Sequence, residues 1–310
     1  MKRLSIRKWM LVCLSLFLVF SVVVGCQPGD KPPVSTPVTP SKVKYPITVK
    51  DMAGNTVEFK KPAERIISLI PSNTEIAYAI GLGDKMVGGT TNDDFPVEAK
   101  KLEKVGDFTI NVEKVVSLKP DLVLASTMNK EVEKLKSLGI PTLVLDGKSI
   151  KEVFESITIV GMATNKAHEA DNLVGTMTKE KLAIYQKVTP IAKKNPKKVW
   201  LEIDPTPMTA GGDTILNEML EVAGGINVAK ELKGWPQVGA EKVAAWNPDV
   251  IFSTYGSTSQ IEARPAWASV GAVKQKQVFT LDGNTTSRPG PRIIEGIKEM
   301  ATKLYPEAMK

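Results

Sequence analysis

The sequence predicts an α/β fold of two similar lobes joined by a single long helix, with a ligand cleft between the lobes. Three observations carry this. Short apolar runs alternate with helical stretches over residues 65–162 and again over 196–304, as in a mainly parallel sheet with crossover helices. Between them lies a strand-free segment, residues 166–189, KAHEADNLVGTMTKEKLAIYQKVT. The flanking runs also share a repeat: residues 112–127 read VEKVVSLKPDLVLAST and residues 240–254 read AEKVAAWNPDVIFST.

The elements follow in order. Residues 47–49 and 56–59 alternate around Gly54-Asn55 and read as a hairpin. Residues 65–70 are an apolar run ended by Pro71, a buried strand. A helix then opens at Ser72 and runs to Ile80, stopped by Gly81 and Gly83. Ser72 and Glu75 have the S-x-x-E spacing of a capping box. Strands at 122–125 and 142–145 alternate with helices at 131–138 and 150–162. In the central segment Leu173, Met177, Leu182 and Ile184 partly fit one helical face, and His168 sits in the charged first turns as a solvated residue. Pro196 opens the second run, with strands at 199–203, 250–253 and 278–281 and helices at 214–222 and 293–304.

In each copy of the repeat, Glu-Lys-Val begins a short helix, and a Pro-Asp at the same spacing ends it before a buried strand. Residues 74–81 also faintly match 217–224. Two matches in one order indicate duplication, and a cleft between duplicated lobes is a place for a small molecule. Glu113 and Glu241 fall at equivalent helix starts. There they serve the helix dipole or a docking contact; the residues alone leave both open.

Length and composition bound the rest. A chain of 310 residues fits one large domain or two of ordinary size. Apolar residues at 42% and charged residues at 24% are globular values. Much of the formal +7 comes from Lys2, Arg3, Arg7 and Lys8; the remainder holds 37 basic and 34 acidic residues and makes no electrostatic case for nucleic acid. Cys13, Cys26 and His168 are the whole cysteine and histidine inventory, too little for a Cys/His zinc site, and a histidine-dependent hydrolase would have to use His168. Neither a G-x-G-x-x-G, a Walker pattern nor a G-x-S-x-G occurs. The expectation is a binding protein, not an enzyme, with no cofactor or metal of its own.

Residues 1–8 are basic, 9–24 are apolar, and Gly25-Cys26 follows, so residues 1–25 read as a secretory signal. The apolar stretch of 16 residues is shorter than the roughly 20 a membrane span needs. Residues 27–44, QPGDKPPVSTPVTPSKVK, carry five prolines and read as a semi-rigid spacer. The expected division is signal at 1–25, anchor and tether at 26–44, a first lobe at 45–165, a linker helix at 166–192 and a second lobe at 193–310.

Several of these motifs resemble known ones. Val23-Val24-Gly25-Cys26 is similar to a bacterial lipobox, which implies cleavage before Cys26 and lipidation of its sulfur. The run ISLIPSNTE at 67–75, Asp94-Phe95-Pro96, LKPDLV at 118–123, Trp235-Pro236-Gln237-Val238, Ser287-Arg288 and Pro291-Arg292-Ile293 resemble the substrate-binding proteins of iron-siderophore, haem and cobalamin ABC importers over residues 46–305. The closest branch is similar to vitamin-B12-binding proteins.

That resemblance implies two Rossmann-like lobes with a rigid bridging helix, and a monomer delivering a corrinoid to a permease and its ATPase from the extracytoplasmic face of a membrane. It implies docking roles for Glu113 and Glu241. Trp235, Phe108, Asn92, Ser72, Met208, Asp282 and Arg288 fall at ligand-binding positions. Ser126 and Asn92 stand where the Gram-negative cobalamin binder has aromatics, so the cleft is less aromatic. The alternative cargo is a ferric siderophore or haem, with Tyr255 as the nearest tyrosine to serve a haem iron. Trp246 and Trp267 are expected to pack.

Overall fold

The structure, a computed structural model, describes residues 43–256 and 258–310. The expected signal, the lipidation site at Cys26 and most of the tether lie outside the described residues.

An antiparallel hairpin, β1 (Ile47–Lys50) and β2 (Thr56–Phe59), comes first. The first lobe then runs β3 (Ile66–Ser68), α1 (Pro71–Ala79), β4 (Met86–Gly88), α2 (Val112–Ser117), β5 (Leu122–Ala125), α3 (Val132–Ser137), β6 (Thr142–Val144) and α4 (Ile150–Ala163). The long helix α5 (Ala167–Lys194) follows. The second lobe runs β7 (Lys197–Glu202), α6 (Ile215–Val222), β8 (Gly225–Asn227), α7 (Ala240–Trp246), β9 (Val250–Ser253), α8 (Thr258–Glu262), α9 (Gly271–Lys274), β10 (Val278–Thr280), α10 (Gly283–Ser287) and α11 (Ile293–Leu304).

Both large sheets are parallel and four-stranded, and their orders coincide: β4-β3-β5-β6 in the first lobe and β8-β7-β9-β10 in the second. The α/β fold with two lobes and one long helix is therefore as the sequence predicts. β5 (LVLA) and β9 (VIFS) are buried at every residue, as expected for strands covered on both faces. Along β5, Leu122 and Leu124 join the core shared with α4 and α5, while Val123 and Ala125 join the core under α2 and α3.

The duplicated segment has one structural meaning in both lobes. Lys119 (φ 50°) and Asn247 (φ 46°) end α2 and α7 in the left-handed region. The residue before a proline is excluded from the helical region, which stops each helix there. The aspartate after the proline then binds the start of the neighbouring strand. Asp121 Oδ1 accepts from Glu64 N at 3.0 Å and Arg65 N at 2.7 Å, and Asp249 Oδ2 accepts from Lys198 N at 2.8 Å.

Three details depart from the sequence reading. First, α1 has no capping box. Ile70 is its N-cap without a side-chain cap, and Pro71 occupies the first helical turn, which moves Ser72 inside the helix; Glu75 turns elsewhere. Second, α5 continues through Pro190 to Lys194. Ile191 and Ala192 beyond that proline pack against the core, and burial there outweighs one lost backbone hydrogen bond. Third, the sequence reading lacks the short helices α8, α9 and α10 and the strands β4 and β8. These two are three-residue strands containing Gly88 and Gly225, too short to show a period.

The described chain enters beside the α4–α5 junction. Val43 N donates to Asn165 Oδ1 (3.2 Å) and Tyr45 Oη to the Met162 carbonyl (2.7 Å). Ala63, just before β3, donates to the Ala163 carbonyl at the end of α4. Entry is thus on the face formed by the amino ends of the strands.

Candidate functional site

At the opposite face, the carboxyl ends of the strands from both lobes frame a cleft of about 1220 Å³. Leu69 after β3, Ser126 after β5, Leu145 after β6, Ile203 after β7 and Thr254 after β9 all line it. This is where open parallel sheets place their ligands, because strand ends and helix starts leave loops free to diverge.

Of the residues expected to bind, Ser72, Asn92, Phe108, Trp235 and Arg288 line the cleft together. Phe108 and Trp235 face it from different lobes and are 85% and 48% exposed. Trp235 is therefore not a core residue. Met128 adds a further apolar side chain at 72% exposure. Asn92 sits in a turn pinned by Asp93, whose Oδ2 accepts from Thr90 N and from the Thr74 hydroxyl of α1. Gly89 lets that carboxylate approach, since a Cβ there would lie 2.3 Å from it.

Met208 and Asp282 do not line the cleft. Met208 is tied into the loop beyond β7, bridged to Asp204 and Gln237. Asp282 is the N-cap of α10, accepting from Asn284 N at 2.9 Å. Both side-chain environments are set by local turns that motif matching does not register.

Arg288 lines the cleft, but its guanidinium is already engaged. It donates to Asp94 at 2.5 Å and to Glu75 Oε1 at 3.2 Å. Arg292 grips the same carboxylate with two prongs, Nε to Oε2 at 2.9 Å and Nη2 to Oε1 at 2.7 Å. Its guanidinium also stacks 4.1 Å from the Phe95 ring centroid. Glu75, 3% exposed, thus joins the first lobe to the loop before α11. The hydrogen bond from Arg288 is the largest influence holding the Asp94 carboxyl below its ordinary range. No local sequence motif marks this cluster, because its members lie up to 217 residues apart.

A pseudo-symmetric contact crosses the other way. Glu218 of α6 accepts from Ile150 N, the first residue of α4, at 2.8 Å. Glu75 and Glu218 occupy matching positions of the fainter repeat; Glu75 reaches the segment before the last helix of the opposite lobe, and Glu218 the first residue of its counterpart.

Below the second-lobe wall, Glu202 is fully buried. It accepts two 2.7 Å bonds from Arg264, one from Trp200 Nε1 at 3.0 Å and one from the Tyr255 hydroxyl. Burial first, then the bond to Glu202, pushes the Tyr255 phenol up to about 12. Tyr255 is not among the cleft-lining residues. Trp246 and Trp267 pack on Trp200, with centroids 6.1 and 6.4 Å away. His168 is exposed beside Asn172.

Glu113 and Glu241 start α2 and α7 on the cleft side of their lobes. Both are exposed, and neither has an ion-pair partner among the described residues. The described residues contain no cluster of metal-ligating side chains and no helix long and apolar enough to cross a membrane.

The sequence profile of the periplasmic binding proteins matches residues 66–285, which takes in both sheets and the cleft. The chain belongs to this family. Within it, the chain is 42% identical to YvrC of Bacillus subtilis, described as an uncharacterized ABC transporter substrate-binding lipoprotein, over 96% of this chain and 97% of that protein. The crystal structure of the periplasmic vitamin B12 binding protein BtuF of Vibrio cholerae is similar with a TM-score of 0.69 and 30% identity, covering 80% of this chain and 99% of that one. The haem-binding protein RhuT from Roseiflexus is similar with a TM-score of 0.71 and 25% identity, covering 79% and 99%.

Proposed function

We propose that the protein is the extracytoplasmic, lipid-anchored substrate-binding component of an ABC importer and carries a corrinoid such as cobalamin. The observation that carries this reading is the character of the cleft. Its volume of about 1220 Å³ lies above the roughly 300–1,000 Å³ of common small-molecule pockets. Phe108 and Trp235 offer aromatic faces from opposite lobes, suited to covering a broad apolar ring system. Its charged lining comprises Asp107, Glu131, Asp146 and Asp213 against Lys130, Lys148 and Arg288, and Arg288 is held by Glu75 and Asp94. Such a wall repels a polyanionic ferric complex and offers carboxylates to the amide N–H groups of a neutral corrinoid.

The haem alternative is less well supported. A tyrosinate ligand would need Tyr255 to ionise, and its phenol titrates near 12 while bonded to Glu202.

The carrier performs no chemistry. Its lobes enclose the cargo, and Glu113 and Glu241 present one carboxylate per lobe to cationic residues of a permease, fixing orientation through two separated charge-assisted contacts. The test is calorimetric titration of cyanocobalamin into the secreted chain, residues 26–310 with Cys26→Ser. One-to-one binding in the nanomolar to low micromolar range, weakened at least tenfold by Trp235→Ala, is expected. An isotherm without heat, with no red chromophore retained, overturns the corrinoid assignment.

A further inference from the structure

The face opposite the cleft carries a cluster of cations that the transport reading does not use. Residues 187–198 read KVTPIAKKNPKK, five lysines without an acid. Lys193, Lys194 and Lys198 are exposed at the end of α5 and the start of β7. Lys274 and Lys276, exposed at the end of α9 and before β10, lie along the same sheet edge. The register fixes this: Val199 pairs with Val250, and Ile251 pairs with Val278, so the amino ends of β7, β9 and β10 are level. Two strand spacings separate Lys198 from Lys276, about 10 Å.

None of Lys193, Lys194, Lys197, Lys274 and Lys276 has an ion-pair partner among the described residues. The acids nearby are few. Asp249 is occupied by Lys198 N, and Glu307 by Lys310. The corresponding edge of the first lobe exposes Lys60, Lys61 and Lys119, but its other cations are engaged. There Lys85 is paired with Glu64, Arg65 donates to the Leu118 and Lys119 carbonyls, and Asp121 faces the same strand start.

We propose that this basic edge of the second lobe is a docking surface for an anionic phospholipid bilayer, which holds the carrier with its cleft turned outward between deliveries. Two observations select a bilayer as the partner. The lysines form a row of largely exposed, unpaired point charges beside Lys198, whose Nζ donates to the Trp246 carbonyl, and such a row suits a fluid sheet of headgroup phosphates. And Val43 is bonded to Asn165 beside the start of α5, whose far end, about 42 Å away over 28 residues, carries Lys193 and Lys194. On the anchored-carrier reading, on which this inference rests, that entry keeps the lysines within reach of the membrane. Electrostatic attachment of this kind is reversible and screened by salt, so it competes with permease docking without abolishing it.

The test uses the secreted chain with Cys26→Ser, so that binding is independent of lipidation. Co-sedimentation with vesicles of equimolar phosphatidylglycerol and phosphatidylcholine is compared with pure phosphatidylcholine vesicles at 50 and 500 mM NaCl. Binding to the anionic vesicles alone, lost at high salt and weakened at least tenfold when Lys193, Lys194, Lys197, Lys274 and Lys276 are all changed to Gln, is the expected result. A control with Lys100, Lys101 and Lys134 changed to Gln retains binding. Equal binding to neutral vesicles, or wild-type binding by the five-fold variant, overturns the proposal. Capture by a soluble glycerophosphate polymer without vesicle binding overturns the bilayer as partner. Radiolabelled palmitate incorporation at Cys26, measured separately, decides the anchor itself.

Discussion

The two lobes share strand order, repeat and interface plan, yet they fasten to each other by unequal means. From the first lobe, Glu75 reaches across to two guanidinium groups in a site where it is 3% exposed. From the second, Glu218 reaches across to one backbone N–H. A duplicated scaffold fixes where a contact can form, while the side chains that arrive there set its strength. A buried charge paired with two others is held far more tightly than a capped helix start, because separation would strand charge in a poor solvent. Within the second lobe, a buried glutamate again gathers several partners: Glu202 ties Arg264, Trp200 and Tyr255 together.

The largest expected effect breaks the stronger fastening. Glu75→Ala leaves Arg288 and Arg292 without their shared carboxylate and is expected to lower stability by about 3–5 kcal/mol in urea unfolding, the range for removing one partner of a buried ion pair. Small-angle scattering should then show a larger radius of gyration in the unliganded protein. The symmetric test, Glu218→Ala, should cost only about 1 kcal/mol, the worth of a helix cap. Equal losses from the two variants would refute the asymmetry.

The Pro-Asp repeat gives a finer test. Asp121 accepts from two backbone N–H groups and Asp249 from one. Asp121→Ala is therefore expected to lose about 2 kcal/mol and Asp249→Ala about 1 kcal/mol, at roughly 1 kcal/mol per hydrogen bond.

The smallest effect is alkaline. Tyr255 titrates near 12 in the folded protein against an ordinary 10. A raised folded value means that this contribution to stability is complete below pH 10 and is lost as pH rises through 12. Spectrophotometric titration near 295 nm should show one phenol ionising last, and Tyr255→Phe should remove that final step.

Much of this architecture was legible in the chain. Residues 122–125 and 250–253 were readable as strands because burial on both faces leaves unbroken apolar runs. The duplication was readable because Pro-Asp performs one backbone task in each lobe. The fastening was not. Glu75 stands 213 and 217 residues from Arg288 and Arg292, and its S-x-x-E spacing with Ser72 suggested a local cap. A glutamate three residues after a serine looks the same whether it folds back or reaches across to another lobe. Met208 and Asp282 show the converse: matching a motif placed them at the cleft, while local loop bonding holds them away from it.

The point of entry at Val43 has a mechanical consequence. On the proposed reading, an anchor at Cys26 is separated from Val43 by 16 residues of chain, a leash of at most about 60 Å at full extension. Helix α4 runs from the cleft side to the entry side over 14 residues, about 21 Å. The leash is therefore more than twice the depth it must span. On the proposed reading of an anchored carrier, a body held by its underside can turn over in place and bring its opening down onto a transporter without leaving the surface. Shortening the leash below that depth would confine it to one posture.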